Sequence, residues 1–147
     1  MKKVFLFLLM AVVFSACTTE KYYEDYFITE TVEIYSEVFT VKNSMWETGY
    51  DDSGSYLYCT FPEAQLTRKV INDGMLIGYF YYSLNGVSIL SALPFSDFYV
   101  DGDYKWEEHL TVEFEPGYIT FILKMDDHNT NFDPMYTEYQ FVVKFTK

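Results

Sequence analysis

From residue 30 onward the apolar side chains recur at every second position, and turn-forming residues interrupt them at short spacings. A period of two sends successive side chains to opposite faces of an extended backbone, so this pattern favours β-strands over long helices. Seven runs carry it: 31–42, 55–61, 75–83, 87–92, 104–115, 118–125 and 137–146. They are separated by Asp51-Asp52-Ser53-Gly54, Asn72-Asp73-Gly74, Asn85-Gly86, Asp101-Gly102, Pro116-Gly117 and a polar stretch at 126–135. Short strands with frequent turn signals predict an all-β fold, here an antiparallel β-sandwich of about seven strands, immunoglobulin-like or Greek-key.

The individual runs say which side faces the core. Trp106, Leu110, Val112 and Phe114 share one face, opposite Glu107, His109, Thr111 and Glu113. Glu108 interrupts the apolar row and is expected near a strand end or a bulge. The next run points Ile119, Phe121, Leu123 and Met125 inward, and the last points Tyr139, Phe141, Val143 and Phe145 inward. Run 75–83 is apolar on both faces, which predicts an interior strand or one whose outer face is covered. Asn85-Gly86 is the favoured pair for a two-residue hairpin, and Pro116-Gly117 predicts a second tight turn. Residues 62–70 lack the alternation and predict one or two helical turns crossing between sheets, with Leu66 and Val70 four apart and facing the core.

The first residues belong to a different kind of segment. Lys2 and Lys3 precede an uncharged apolar run at 4–13, the two parts of an export signal. The run is too short to span a bilayer, which takes about 20 apolar residues. Phe14-Ser15-Ala16-Cys17 then resembles a lipobox, with small residues before a cysteine whose thiol takes a diacylglycerol; Phe14 stands where the strict motif has Leu, Val or Ile. The expected organisation is a lipoprotein signal peptide at 1–17 with lipidation at Cys17, an acidic tether at 18–29, and the β-sandwich domain at 30–147. Each acyl CH₂ buried contributes about 0.8 kcal/mol, so several chains hold a protein stably where one does not. The expected location is the cell envelope, lipid-anchored and at the outer membrane.

Loss of residues 1–16 removes Lys2 and Lys3, leaving eight basic against 22 acidic side chains and a net charge of −14. That sign opposes nucleic-acid binding, which requires Lys and Arg to neutralise phosphates. With Cys17 assigned to lipid, Cys59 has no disulfide partner, and its alternation with Leu57 and Phe61 predicts a small buried hydrophobe.

Candidate chemistry is sparse. Asp127, Asn129, Asn131 and Asp133 place oxygen ligands at every second position, as a calcium loop does. Phe132 occupies the position where such loops need Gly, and Pro134 follows, so a polar connection with no calcium dependence is expected. No Gly-rich phosphate loop, Gly-x-Ser-x-Gly or histidine pair at metal spacing occurs in the sequence, and the expectation is a non-enzyme without cofactor.

Aromatic residues are the real excess, at 21% of the chain with 15 Tyr and 14 Phe. The phenylalanines suit a core, but Tyr56 and Tyr58 alternate with Leu57 and Cys59 and should lie on an outer face. Exposed tyrosines can stack on a sugar ring or hold a protein partner. Ordinary cross-strand pairing also uses them, at about 0.2–1 kcal/mol per pair. Two classes of function follow: a non-catalytic binding module for a glycan or protein acting through Tyr56 and Tyr58, or a structural component of a cell-envelope or pilus-like assembly.

The order Val41, Trp46, Tyr56 to Pro62, Leu66-Thr67, Ile71, Asp73-Gly74, Leu93-Pro94, Trp106, Pro116-Gly117-Tyr118-Ile119-Thr120-Phe121 and Tyr139-Gln140-Phe141 resembles a family of small uncharacterised lipoproteins from Bacteroides-type gut anaerobes. Some of its members carry a collagen-like tract after the lipid cysteine, which this chain lacks. The resemblance covers roughly residues 34 to 146 and rests on turn and packing residues. It implies a β-sandwich at the cell surface or in the periplasm and transfers no catalytic residue.

Overall fold

A computed structural model describes residues 32–126 and 134–146. The chain forms strands β1 (Ile34–Lys42), β2 (Glu47–Asp51), β3 (Gly54–Pro62), β4 (Leu76–Leu84), β5 (Val87–Ala92), β6 (Phe95–Asp101), β7 (Tyr104–Glu115), β8 (Tyr118–Met125) and β9 (Glu138–Thr146), seven of them on the alternating runs. A 3-10 turn at Asn43–Met45 follows β1, and helix α1 spans Arg68–Asp73. Two antiparallel sheets result, ordered β1-β9-β4-β5 and β2-β3-β8-β7-β6. The all-β sandwich is therefore present, with nine strands among the described residues. Strands β2 and β6, absent from the seven predicted runs, are edge strands of the five-stranded sheet.

The inward rows meet in one aromatic core. Phe121 of β8 stacks on Phe141 of β9 with ring centroids 4.1 Å apart, joining the two sheets. Phe39 closes on Phe121 at 5.5 Å, and Phe80 meets Phe95 from the other sheet at 5.4 Å. Ile119, Phe121, Tyr139, Phe141 and Val143 are fully enclosed, whereas Val112 and Phe114 are partly buried against them. Trp106 is half-buried and packs on Tyr99 of β6 at 5.5 Å. Strand β4, apolar on both faces, runs between β9 and β5 as an interior strand.

Local chemistry sets the connections. Asn85 and Gly86 have φ of 52° and 77°, the two successive positive values that a type I′ hairpin turn requires. The helix begins later than the sequence suggested. Its N-cap is Thr67, whose hydroxyl accepts from the Val70 N–H at 3.2 Å, and the chain from 63 to 66 is held as a turn. The Glu63 N–H donates to the Gly117 carbonyl and the Gly117 N–H to the Leu66 carbonyl, both at 2.8 Å, so the crossover clamps the β7–β8 hairpin. Leu66 and Val70 are buried, as their spacing predicted.

Glu108 stands at a ladder end, one of the two places expected for it. It faces Met125, the last residue of β8, in the terminal pair of the β7–β8 ladder, while β6 pairs with β7 through it from Phe95↔Leu110 to Asp101↔Tyr104 without a bulge. Its carboxylate completes the inward row and is 1% exposed. A buried carboxylate persists only where donors reach it. Here Tyr139 Oη donates to Oε2 at 2.7 Å and the Met135 N–H donates to Oε1 at 2.8 Å. Burial pushes the Glu108 carboxyl above the usual carboxylate range, against the opposing pull of those two donors.

Candidate functional site

Strand β3 divides its side chains cleanly. Leu57 and Cys59 enter the core, and Tyr56 and Tyr58 stand half-exposed on the outer face of the five-stranded sheet. Their ring centroids are 6.1 Å apart at 55°. The neighbouring edge strand accommodates both rings. Gly49 is the cross-strand partner of Tyr56, and a Cβ there would lie 2.5 Å from the ring's Cε2 and Cζ, so the ring rests across a backbone that only glycine leaves open. Glu47 is the partner of Tyr58 and accepts from its Oη at 2.9 Å. That acceptor holds the Tyr58 phenol above its ordinary value.

Strand β8 brings a cation to the pair. Lys124 Nζ lies 5.3 Å from the Tyr56 ring centroid, within cation–π range, and 2.6 Å from Asp51 Oδ2. It also donates to Ser53 Oγ at 3.2 Å, while Asp51 Oδ1 accepts from the Ser53 N–H at 2.8 Å. Lys124 and the Ser53 donors hold the Asp51 carboxyl well below the usual carboxylate range. Farther along the sheet, His109 faces Lys124 in the β7–β8 register, and its Nδ1 pairs with Ser96 Oγ at 2.6 Å. Tyr56 and Ile122, with Asp51, His109, Glu113 and Lys124, line a cleft of about 270 Å³.

The arrangement is an aromatic surface with polar groups around it, most of them bonded to one another. It can stack the flat apolar side of a ligand and exchange hydrogen bonds at the rim, where the Ser96 hydroxyl pairs with His109 Nδ1 and His109 Nε2 lies 3.8 Å from Glu107 Oε2. A larger cleft of about 410 Å³ lies between α1 and the end of β9, lined by Gln65, Thr67, Val70 and Thr146 among others. That cleft has no aromatic wall. Its Thr67 and Thr146 hydroxyls already accept from the Val70 and Met75 N–H groups, so the tyrosine face is the better candidate.

The structure thus brings the two sequence-predicted residues, Tyr56 and Tyr58, together on one exposed face. Cys17 and the loop positions Asp127, Asn129, Asn131 and Asp133 lie outside the described residues. Among the described residues no group of three His, Cys, Asp or Glu side chains is placed to hold a metal ion. Cys59 is buried, and burial pushes its thiol up, away from the reactive thiolate. Asp51, Gly49 and Lys124 were not singled out from sequence. Asp51 reads there as turn punctuation, and Lys124 is 73 residues away from it, so only the strand register unites them. No protein-family model matches the chain, and neither curated proteins nor solved structures give a match.

Proposed function

We propose that this chain is a non-catalytic binding module, held at the cell envelope by lipid on Cys17, that takes a glycan or protein ligand on the Tyr56–Tyr58 face. The observation that carries the proposal is preorganisation. Both rings are fixed by contacts already made within the protein, Tyr56 over Gly49 and under Lys124, and Tyr58 through Glu47. A ligand therefore meets side chains whose ordering is complete, which lowers the cost of association. The net charge of −14 after removal of residues 1–16 repels polyanions, so neutral sugars and basic protein surfaces suit the face better than nucleic acid or sulfated glycans.

Glycan-array and pull-down screens with a form lacking residues 1–17 test this reading. Tyr56→Ala with Tyr58→Ala should abolish the binding detected while the protein still melts cooperatively. Binding that survives both changes would overturn it. Mass spectrometry of protein from its native membrane should show an acylated Cys17, and an unmodified N-terminus elsewhere would refute lipid anchoring.

A second reading, an assembly component, has one observation in its favour. Strand β1 is a nine-residue edge strand whose Ile34 and Val38 are 68% and 63% exposed, the kind of edge that accepts an added strand. Stable complexes abolished by a proline at Val38, with the tyrosine variants inert, would favour it.

A further inference from the structure

The two sheets carry different charges on their outer faces. The five-stranded sheet turns Glu47, Asp51, Glu107, Glu113 and Glu115 outward against two lysines. Among the described residues, the outer face of the four-stranded sheet has only Lys42, Lys144 and Glu138 as charged side chains. Its middle is apolar: Val38, Val142, Tyr79 and Ala92 stand in one row through β1, β9, β4 and β5, and Tyr81 and Leu90 lie in the next. Val38 and Leu90 are exposed, and Val142, Tyr79 and Tyr81 are half-buried. Lys144 Nζ lies 5.6 Å from the Tyr79 ring centroid, and Gln140 Nε2 donates to Glu138 Oε1 at 3.3 Å. No ion pair joins Lys144 or Glu138 to another charge among the described residues.

We propose that this face is a homodimer interface, two copies packing sheet on sheet about a two-fold axis that crosses β9 between Gln140 and Val142. A chain of net charge −12 repels its own copy, so it meets itself at least cost through the sheet face that is apolar and nearly neutral. Charge also places the axis. Along β9 the outward residues run Glu138, Gln140, Val142 and Lys144, and a two-fold between the middle two sets each Lys144 opposite the second copy's Glu138. The same axis follows the row Phe39, Phe141, Phe80 and Ser91, so it lays Tyr79 on Tyr81, Val38 on Thr40 and Leu90 on Ala92 of the second copy. Lys144 and Glu138 sit about 10 Å from the axis, near enough for long side chains to meet across the roughly 30° at which stacked sheets cross. Three strands of nine residues and one of six, about 4.8 Å apart, present roughly 500 Å² per copy. The total of about 1,000 Å² reaches the lower bound for a specific complex and suits a weak dimer. The axis runs from β1 toward β5, so both copies start β1 on the same side, which accommodates the lipid anchors proposed above without depending on them. The Tyr56–Tyr58 faces belong to the other sheet and remain outward.

The test uses the full chain in a density-matched non-ionic detergent, with micelles in large excess so that two anchors rarely share one. Sedimentation equilibrium should show monomer and dimer exchanging in the micromolar range. Lys144→Glu and Glu138→Lys should each weaken the dimer about tenfold or more, because like charges then meet twice across the axis. An equimolar mixture of the two variants should dimerise about as tightly as the native chain, since each supplies the charge the other lacks. That rescue separates an interface with this register from a contact elsewhere, including strand addition at the β1 edge. Leu90→Lys, at an exposed position, should also weaken self-association, and Tyr56→Ala with Tyr58→Ala should leave it unchanged. Cooperative melting certifies each variant as folded. A native chain that stays monomeric throughout that range, single variants that dimerise as the native chain does, or a mixture no tighter than its components would overturn the proposal.

Discussion

Tyr139 donates to Glu108 across 2.7 Å in the interior, and Tyr58 donates to Glu47 across 2.9 Å on the outer face of the five-stranded sheet. The chemistry of the two pairs is the same, a phenol and a carboxylate. Their surroundings separate them. Around the inner pair burial dominates, raising the Glu108 carboxyl and the Tyr139 phenol together. The outer pair exchanges with water, and its bond orients a ring more than it holds the fold together. The inner pair also has a second duty, because the Met135 N–H shares the Glu108 carboxylate and ties the chain before β9 to β7. What a hydrogen bond is worth in this protein follows from where its strand faces.

The contrast can be broken from the inside first. Phe121→Ala removes the ring that joins both sheets and should cost about 3–5 kcal/mol in urea unfolding, which sets the scale for the core. Tyr139→Phe leaves the buried carboxylate short of a donor and should cost about 1–3 kcal/mol by the same measurement. A cost near zero would mean that the inner pair behaves like the outer one.

The pH dependence sharpens the difference further. Glu108 keeps its proton in the folded state at pH values where the unfolded chain has released it. The folded state then binds more protons, so stability is greatest below the ordinary Glu value of about 4.3 and falls as pH rises through the raised Glu108 value. The charged or titratable groups facing it are Asp97, Tyr139 and Tyr99, and the Tyr99 phenol is raised in part by the Glu108 charge. Asp51 behaves oppositely: Lys124 stabilises its charged form, and that contribution is lost as pH falls. Unfolding midpoints measured across this range should decline less with pH in Glu108→Gln than in the native chain. Glu37, whose carboxyl is raised by its hydrogen bond to Glu63, adds to the same downward slope, and Asp51 opposes it.

The smallest effects on stability belong outside. Gly49→Ala puts a Cβ where the Tyr56 ring lies and should abolish ligand binding on that face with little change in the melting temperature. Tyr58→Phe should leave the unfolding midpoint where it is, since water replaces the lost partner of Glu47. A clear destabilisation by Tyr58→Phe would assign the outer pair a structural role and weaken the binding proposal.

Much of this was legible in the sequence. The strands at 104–115 and 118–125 fall where the alternation put them, because each has one clear apolar row and a turn at its end, and the strand at 87–92 is fixed by the Asn85-Gly86 turn before it. Strand β2 escaped notice because Glu47-Thr48-Gly49-Tyr50-Asp51 has no apolar row, as suits a short edge. Strand β6 has an inward Asp97 between Phe95 and Tyr99 and exposed Phe98 and Val100 on its other face, which erases the period. The outward direction of Tyr56 and Tyr58 follows from counting along one strand. Their neighbours Gly49, Asp51 and Lys124 come from strands paired by register, and a single sequence carries no direct signal for register. The donors that make the burial of Glu108 possible carry no signal in its own strand, because Met135 and Tyr139 belong to the chain entering β9.

The chain leaves β8 and enters β9 through two bonds to consecutive residues of β7. The Asp126 N–H donates to the Glu107 carbonyl at 3.1 Å, and the Met135 N–H donates to the Glu108 side chain at 2.8 Å. With both ends fixed to one strand, the exit from β8 and the entry to β9 are set by β7. Glu108 is thus a mooring for the chain that enters β9 as well as a member of the core, so its loss should loosen the Met135 amide as well as the sheet packing around it.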